Sequence, residues 1–160
     1  MEAMTKDKKI QGMNLSFAKT VAYGGDGMNQ EWEDEMSKFL KSHQALYGLM
    51  KGYGMTEMAG PVCTSNHKFP VMLPFFCNNI KILDIDTGEE LGYEQEGEIC
   101  VSGPSMMMEY YKNPEATREI IFEENGTRWL RTGDLGYVTK EGYFRLTGRL
   151  KRILWSIGAD

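Results

Sequence analysis

Thr20-Val21-Ala22-Tyr23-Gly24-Gly25-Asp26-Gly27 is a short β-prone run that stops in a glycine turn, and its reading decides how the first part of the chain folds. Directly after it Met28, Trp32, Met36 and Phe39 or Leu40 recur at helical spacing. Asn29 is placed to cap that helix, with Glu31, Glu33 and Asp34 near its positive end. Leu46 to Met50 then reads as a second buried strand, feeding Lys51-Gly52-Tyr53-Gly54-Met55-Thr56-Glu57. Strand, helix and strand at these lengths predict a parallel crossover unit, and ligands in such sheets sit at the carboxyl ends of strands. Both glycine-rich segments fall at such ends.

From about Asn78 the pattern changes to short strands separated by turns: Ile80 to Ile85, Glu98 to Val101, Trp129 to Arg131, Gly136 to Thr139 and Tyr143 to Thr147. Asp86-Thr87-Gly88 and Lys140-Glu141-Gly142 supply turn residues. Asn113-Pro114-Glu115 reads as a cap followed by proline at the first helical position, opening a short helix through about Ile121. The fold class expected is α/β: a strand-helix-strand crossover unit of a parallel sheet, followed by a small antiparallel β-barrel or sheet. The expected divisions are 1–68, 69–148 and a terminal piece, 149–160.

A chain of 160 residues with 41% hydrophobic residues can bury a core. Its formal net charge of −5, with no clustered basic surface, argues against nucleic-acid binding. Lys6, Lys8 and Lys9 are interrupted by Asp7 and read as a solvated end. Cys63, Cys77 and Cys100 are odd in number and far apart, which gives neither a disulfide framework nor paired zinc ligands and favours a reducing, cytoplasmic setting. The longest apolar stretch, Val71 to Cys77, contains Pro74 and falls short of the roughly 20 residues that span a bilayer.

Some of these segments carry chemistry. Tyr53 lies between Gly52 and Gly54, where bare backbone admits a ligand and the ring offers a flat face. Thr56 has a hydroxyl for a phosphate oxygen, and Glu57 a hard oxygen for a magnesium ion carried by a nucleotide. Asp134, held by a Thr132-Gly133 turn, can accept from both hydroxyls of a ribose, and Arg149 carries a permanently charged fork of donors. The plain alternatives are a turn, a solvated loop aspartate and a surface arginine. Met106-Met107-Met108 reads as adaptable packing, His43 and His67 as surface or loop residues, and Trp32 and Trp129 as core.

Three motifs in order, Gly52-Tyr53-Gly54-Met55-Thr56-Glu57, Trp129-Leu130-Arg131-Thr132-Gly133-Asp134 and Gly148-Arg149-Leu150-Lys151-Arg152-Ile153, resemble the adenylate-forming superfamily of acyl-CoA synthetases, luciferases and peptide-synthetase adenylation domains. The resemblance runs from about Val21 to Gly158. It implies that Gly24, Gly25 and Asp26 form the loop beside the adenine, that Tyr53 stacks on the base, and that Thr56 contacts the α-phosphate. It further implies Glu57 as magnesium ligand, Asp134 on the ribose, and Gly148-Arg149 opening a hinge to a C-terminal domain. The function implied is an ATP-dependent carboxylic acid:CoA ligase that forms an acyl-adenylate and then a thioester, with ATP or AMP, magnesium and coenzyme A bound.

The Gly97 to Pro104 and Tyr110 to Thr117 runs also match and read as mainly structural. The family's phosphate-cradling loop has no counterpart between Met1 and Thr20, and its C-terminal lysine would lie past Asp160, so the expectation is an internal fragment that needs the rest of its polypeptide to turn over. Glu109 stands where glycine is usual, Phe69 to Cys77 lacks expected glycines, and Trp155 replaces a lysine of several relatives. The alternatives are an amino-acid adenylation domain and a non-catalytic nucleotide-binding or interaction module.

Overall fold

The computed structural model describes residues 6–7, 9–25, 30–65 and 71–150. β1 (Val21–Gly24) leads through α1 (Gln30–Ser42) to β2 (Leu49–Met55), and the two strands pair in parallel, with Val21 opposite Leu49 and Gly24 opposite Gly52. This is the predicted crossover. α1 buries Met36 and Leu40 against Leu15 and Ala45, with Phe39, Val21 and Leu49 around them, as its helical spacing requires. The proposed cap Asn29 and the first apolar position, Met28, lie outside the described residues. Glu33 does more than favour the helix dipole: it is buried, pairs with Lys51 at 2.6 Å and accepts a hydrogen bond from the Tyr23 hydroxyl. A carboxylate is retained in such a place only with partners of this kind.

Two sequence boundaries need correction. Leu46 is 62% exposed and precedes the strand, whereas Tyr53 lies inside it, so the glycine-flanked segment is β2 itself and not a loop after it. The cause is β3 (Gly60–Thr64), which returns antiparallel after a 3-10 turn at Thr56–Met58 and sets Tyr53 opposite Cys63 and Gly54 opposite Pro61. A Cβ on Gly54 would drive into the Gly60 carbonyl, so this glycine serves strand closure. β4 (Leu73–Pro74) completes a mixed sheet in the order β1-β2-β3-β4.

The second sheet is antiparallel and open, with the order β5-β6-β8-β7 and β9 also paired to β8. Its members are β5 (Asn79–Leu83), β6 (Gly97–Ser102), β7 (Ile121–Glu124), β8 (Thr127–Val138) and β9 (Phe144–Arg149). Of the two expectations, barrel or sheet, it is the sheet. α2 (Pro114–Ile120) has the expected cap, Asn113 Oδ1 accepting from the Ala116 amide at 3.1 Å. Ile121 opens β7, which turns into β8 at Asn125 and Gly126, φ 51° and 75°, the dihedral signs of a tight hairpin turn. The stretch Trp129 to Arg131 and the stretch Gly136 to Thr139, except Thr139 itself, are parts of one strand, β8.

The two sheets share a core. Tyr53, Met58, Val62 and Cys63 pack with Ile82, Ile99, Val101, Leu130 and Phe144. Trp129 is not in that core: strand alternation puts it on the other face of the second sheet, with Lys81 Nζ 4.4 Å from its ring. Among the described residues no helix is long and apolar enough to cross a membrane.

Candidate functional site

Asp134 sits where β8 is forced out of register. Glu98 pairs with Leu135 and Cys100 with Arg131, so Thr132, Gly133 and Asp134 stand against Ile99 alone. The predicted turn is therefore a bulge inside a strand, a device that re-aims a side chain. Gly133 has φ 69°, a conformation that favours glycine. Thr132 Oγ1 donates to the Ile99 carbonyl at 2.8 Å and accepts from the Asp134 amide at 3.1 Å. Buried Glu98 locks the outer side, accepting from the Gly133 amide at 3.2 Å and pairing with Arg131 at 2.6 Å. The sequence reading gave Glu98 no role; a lone carboxylate in the apolar run Ile99-Cys100-Val101 was the available signal.

The bulge presents the Asp134 carboxylate to both sheets. Its Oδ2 accepts from the Tyr53 hydroxyl at 2.9 Å, and its Oδ1 lies 3.1 Å from Arg149 Nε on β9. The ring of Tyr53 packs on Phe144, centroids 5.2 Å apart, and is only 7% exposed. Burial pushes the Tyr53 phenol well above its ordinary range, with the Asp134 charge adding to the rise, so it stays a hydrogen-bond donor at neutral pH. The side chain of Arg149 is 59% exposed and that of Asp134 15%, so the polar end of this group opens to water and the ring end is closed.

Glu57 lies past the end of β2, in the 3-10 turn. The Met107 amide donates to its carbonyl at 2.7 Å, and the Tyr110 hydroxyl donates to its Oε1 at 2.5 Å. That hydrogen bond, more than desolvation, pushes the Tyr110 phenol up to about 12. Thr56, its neighbour, is exposed, and its hydroxyl makes no hydrogen bond among the described residues. Gly24 lies opposite Gly52, and a Cβ on Gly24 would come within 2.7 Å of the Gly52 carbonyl, so it too is a packing glycine. Gly25 has φ 89° with open space where a Cβ would stand, and Gly52 meets nothing nearer than 3.6 Å. Those two leave bare backbone for a ligand. Asp26, like Lys151 and the rest of the terminal segment, lies outside the described residues.

The sequence profile of the family described as AMP-binding enzyme matches residues 1–111. The chain belongs to that family. As a member of the AMP-binding enzymes it is similar to luciferin 4-monooxygenase of Luciola mingrelica, 35% identical over 157 aligned positions, with 94% of this chain and 27% of that protein covered. It is similarly close to 4-coumarate–CoA ligase 3 of Arabidopsis thaliana, 35% identical over 162 aligned positions, gaps included, covering 95% of this chain and 28% of the relative. The chain thus spans about a quarter of the length of these relatives. The crystal structure of a long-chain-fatty-acid–CoA ligase from Archaeoglobus fulgidus superimposes with a TM-score of 0.82 over 98% of this chain and 33% of that one, at 23% identity, a shared fold. The family match includes the Gly24, Tyr53 and Tyr110 segments and stops short of Asp134 and Arg149, which the structure itself joins to Tyr53.

Proposed function

We propose that this chain supplies the nucleotide-binding centre of an AMP-forming acid–thiol ligase, which joins a carboxylic acid to ATP as an acyl-adenylate and passes the acyl group to coenzyme A. The observation that carries this reading is the meeting of Tyr53, Asp134 and Arg149 from three strands of two sheets. The substrate acid attacks the α-phosphate and pyrophosphate leaves; splitting one hard acyl transfer into two steps in this way lowers each barrier. Asp134 accepts from the ribose hydroxyls in place of Tyr53 and Arg149, and Arg149, already at the open edge, turns toward ribose or phosphate oxygens. Because Tyr53 is 7% exposed, a base reaches its ring only after the covering side chains shift, with bare backbone at Gly25 and Gly52 beside it. Thr56 offers its hydroxyl to the α-phosphate.

The described residues contain no cluster of three or more His, Cys, Asp or Glu side chains suited to a metal. That suits magnesium delivered with a nucleotide, which needs one or two carboxylates beside the phosphates. Glu57 fits: Oε1 is taken by Tyr110 and the second oxygen has no hydrogen bond among the described residues. Magnesium, when bound, neutralises charge on the phosphates. In this reading residues 149–160 serve as a hinge, and the reaction is that of the complete ligase, in the cytoplasm.

A second reading has its own support. Both Asp134 oxygens are already satisfied within the chain, as in a purely structural tie. Calorimetry with AMP separates the two. If Asp134 holds ribose, Asp134→Ala loses about 1.5–3 kcal/mol, roughly tenfold to over a hundredfold in Kd. Tyr53→Phe, which removes the hydroxyl and keeps the ring, leaves binding equal or tighter. AMP binding that is indifferent to Asp134→Ala leaves only the structural tie. ATP–pyrophosphate exchange on the complete protein, screened with fatty, aromatic and amino acids, then assigns the acid and separates acyl from amino-acid activation.

A further inference from the structure

Tyr110 belongs to a stretch that the sequence marks as mainly structural, yet its hydroxyl reaches across 53 residues to the Glu57 carboxylate at 2.5 Å. We propose that Tyr110 is a positioning residue for Glu57, fixing which carboxylate oxygen is presented to the nucleotide-borne divalent cation. The inference rests on the reading of Glu57 as metal ligand given above and extends it to a residue with no assigned role.

The contact is built from both ends. On the Tyr110 side, its amide donates to Thr117 Oγ1 at 2.9 Å, Thr117 Oγ1 donates to the Asn113 carbonyl at 3.0 Å, and the Asn113 amide returns to the Tyr110 carbonyl at 3.1 Å. The capped start of α2 therefore holds the tyrosine backbone in place. On the Glu57 side, the Met107 amide fixes the backbone carbonyl at 2.7 Å, and Arg128 from β8 donates to the Met108 carbonyl at 2.9 Å, pinning the same loop to the second sheet. A glutamate on a turn has three free side-chain torsions. With Oε1 held by a phenol and its backbone anchored, it presents Oε2 in a restricted set of orientations. An outer partner of this type orients a metal-binding carboxylate without touching the ion, and its loss typically weakens metal binding about 10- to 100-fold.

The test measures how far Mn2+ strengthens ATP binding to the complete protein, by calorimetry with ATP in EDTA and with ATP plus Mn2+. Glu57→Gln should abolish the strengthening. Tyr110→Phe, which keeps the ring, should cut it about tenfold and leave ATP binding in EDTA unchanged, and the double variant should match Glu57→Gln alone. If Glu57→Gln keeps the full Mn2+ effect, the metal-ligand reading falls and takes this proposal with it. If Glu57→Gln loses the effect and Tyr110→Phe keeps it, only the positioning role is overturned. Equal weakening by Tyr110→Phe with and without Mn2+ also overturns it, because that is the signature of a scaffold residue.

Discussion

Lys81 shows how one side chain can carry a charge into a sheet face. Its side chain is 3% exposed, its Nζ lies 2.5 Å from Glu124, and the rings of Trp129 and Phe122 stand 4.4 and 5.0 Å from it. Removing the acid strands a buried cation, whereas replacing the cation removes the need for the acid. Glu124→Ala should cost about 1–3 kcal/mol in urea unfolding, less than for a fully enclosed pair because Glu124 is 49% exposed and both rings remain. Lys81→Met should be neutral or stabilising in the same assay, and a loss larger than that of Glu124→Ala would refute this account. The thiols give a second prediction. Burial pushes Cys63 and Cys100 up to about 12 from an ordinary 9.0, while Cys77 is exposed. The folded state holds these protons more tightly than the unfolded one, so their contribution is intact below pH 9 and is lost between about pH 9 and 12. Unfolding midpoints should be insensitive to these groups at neutral pH and fall above pH 9, and iodoacetamide on the native protein at pH 8 should label Cys77 alone.

At the level of single elements, β2 depends on a missing side chain. Gly54→Ala would press a methyl group into the Gly60 carbonyl across the β2–β3 pair, a backbone collision that no rotamer relieves. The loss should be at least about 2 kcal/mol, seen as a lowered midpoint in thermal unfolding, while Gly52→Ala, whose Cβ meets nothing within 3.6 Å, should cost far less. That contrast also explains which parts of the fold were legible. The β1–α1–β2 unit announced itself because a β-prone run, a glycine turn and a 3.6-residue repeat follow one another. β2 was cut short because Gly52 and Gly54 read as loop formers, and only the position of β3 makes them strand residues. β8 was split because Thr132-Gly133-Asp134 has turn chemistry, which the structure absorbs as a bulge against Ile99. β7 was overlooked because Ile121 follows α2 without a breaker, although Asn125-Gly126 marked the hairpin. For the site, Tyr53, Glu57 and Asp134 were legible as residue types in motifs. Of their supports, Glu98 left only a carboxylate beside an apolar run, and Phe144 and Tyr110 left nothing, since a contact across dozens of residues leaves no local pattern.

On the scale of the whole molecule, the candidate site lies along the seam of two sheets, with Tyr53 from one and Asp134 from the other. A ligand that needs both groups favours the state in which the sheets are joined, by about 2.7 kcal/mol at a hundredfold excess over its Kd. The seam is also where one core lies: a single apolar cluster takes Tyr53, Val62 and Cys63 from the first sheet and Ile99, Val101 and Leu130 from the second, while α1 packs in a smaller cluster with Leu15, Met36, Leu40 and Ala45. Amide protons then sort by cluster and not by sheet. In native-state hydrogen exchange, the amides of Val62 and Leu130 should open with one common free energy despite lying in different sheets, and those of α1 should exchange at a lower one. Unequal protection of Val62 and Leu130 would mean that the sheets come apart before either melts.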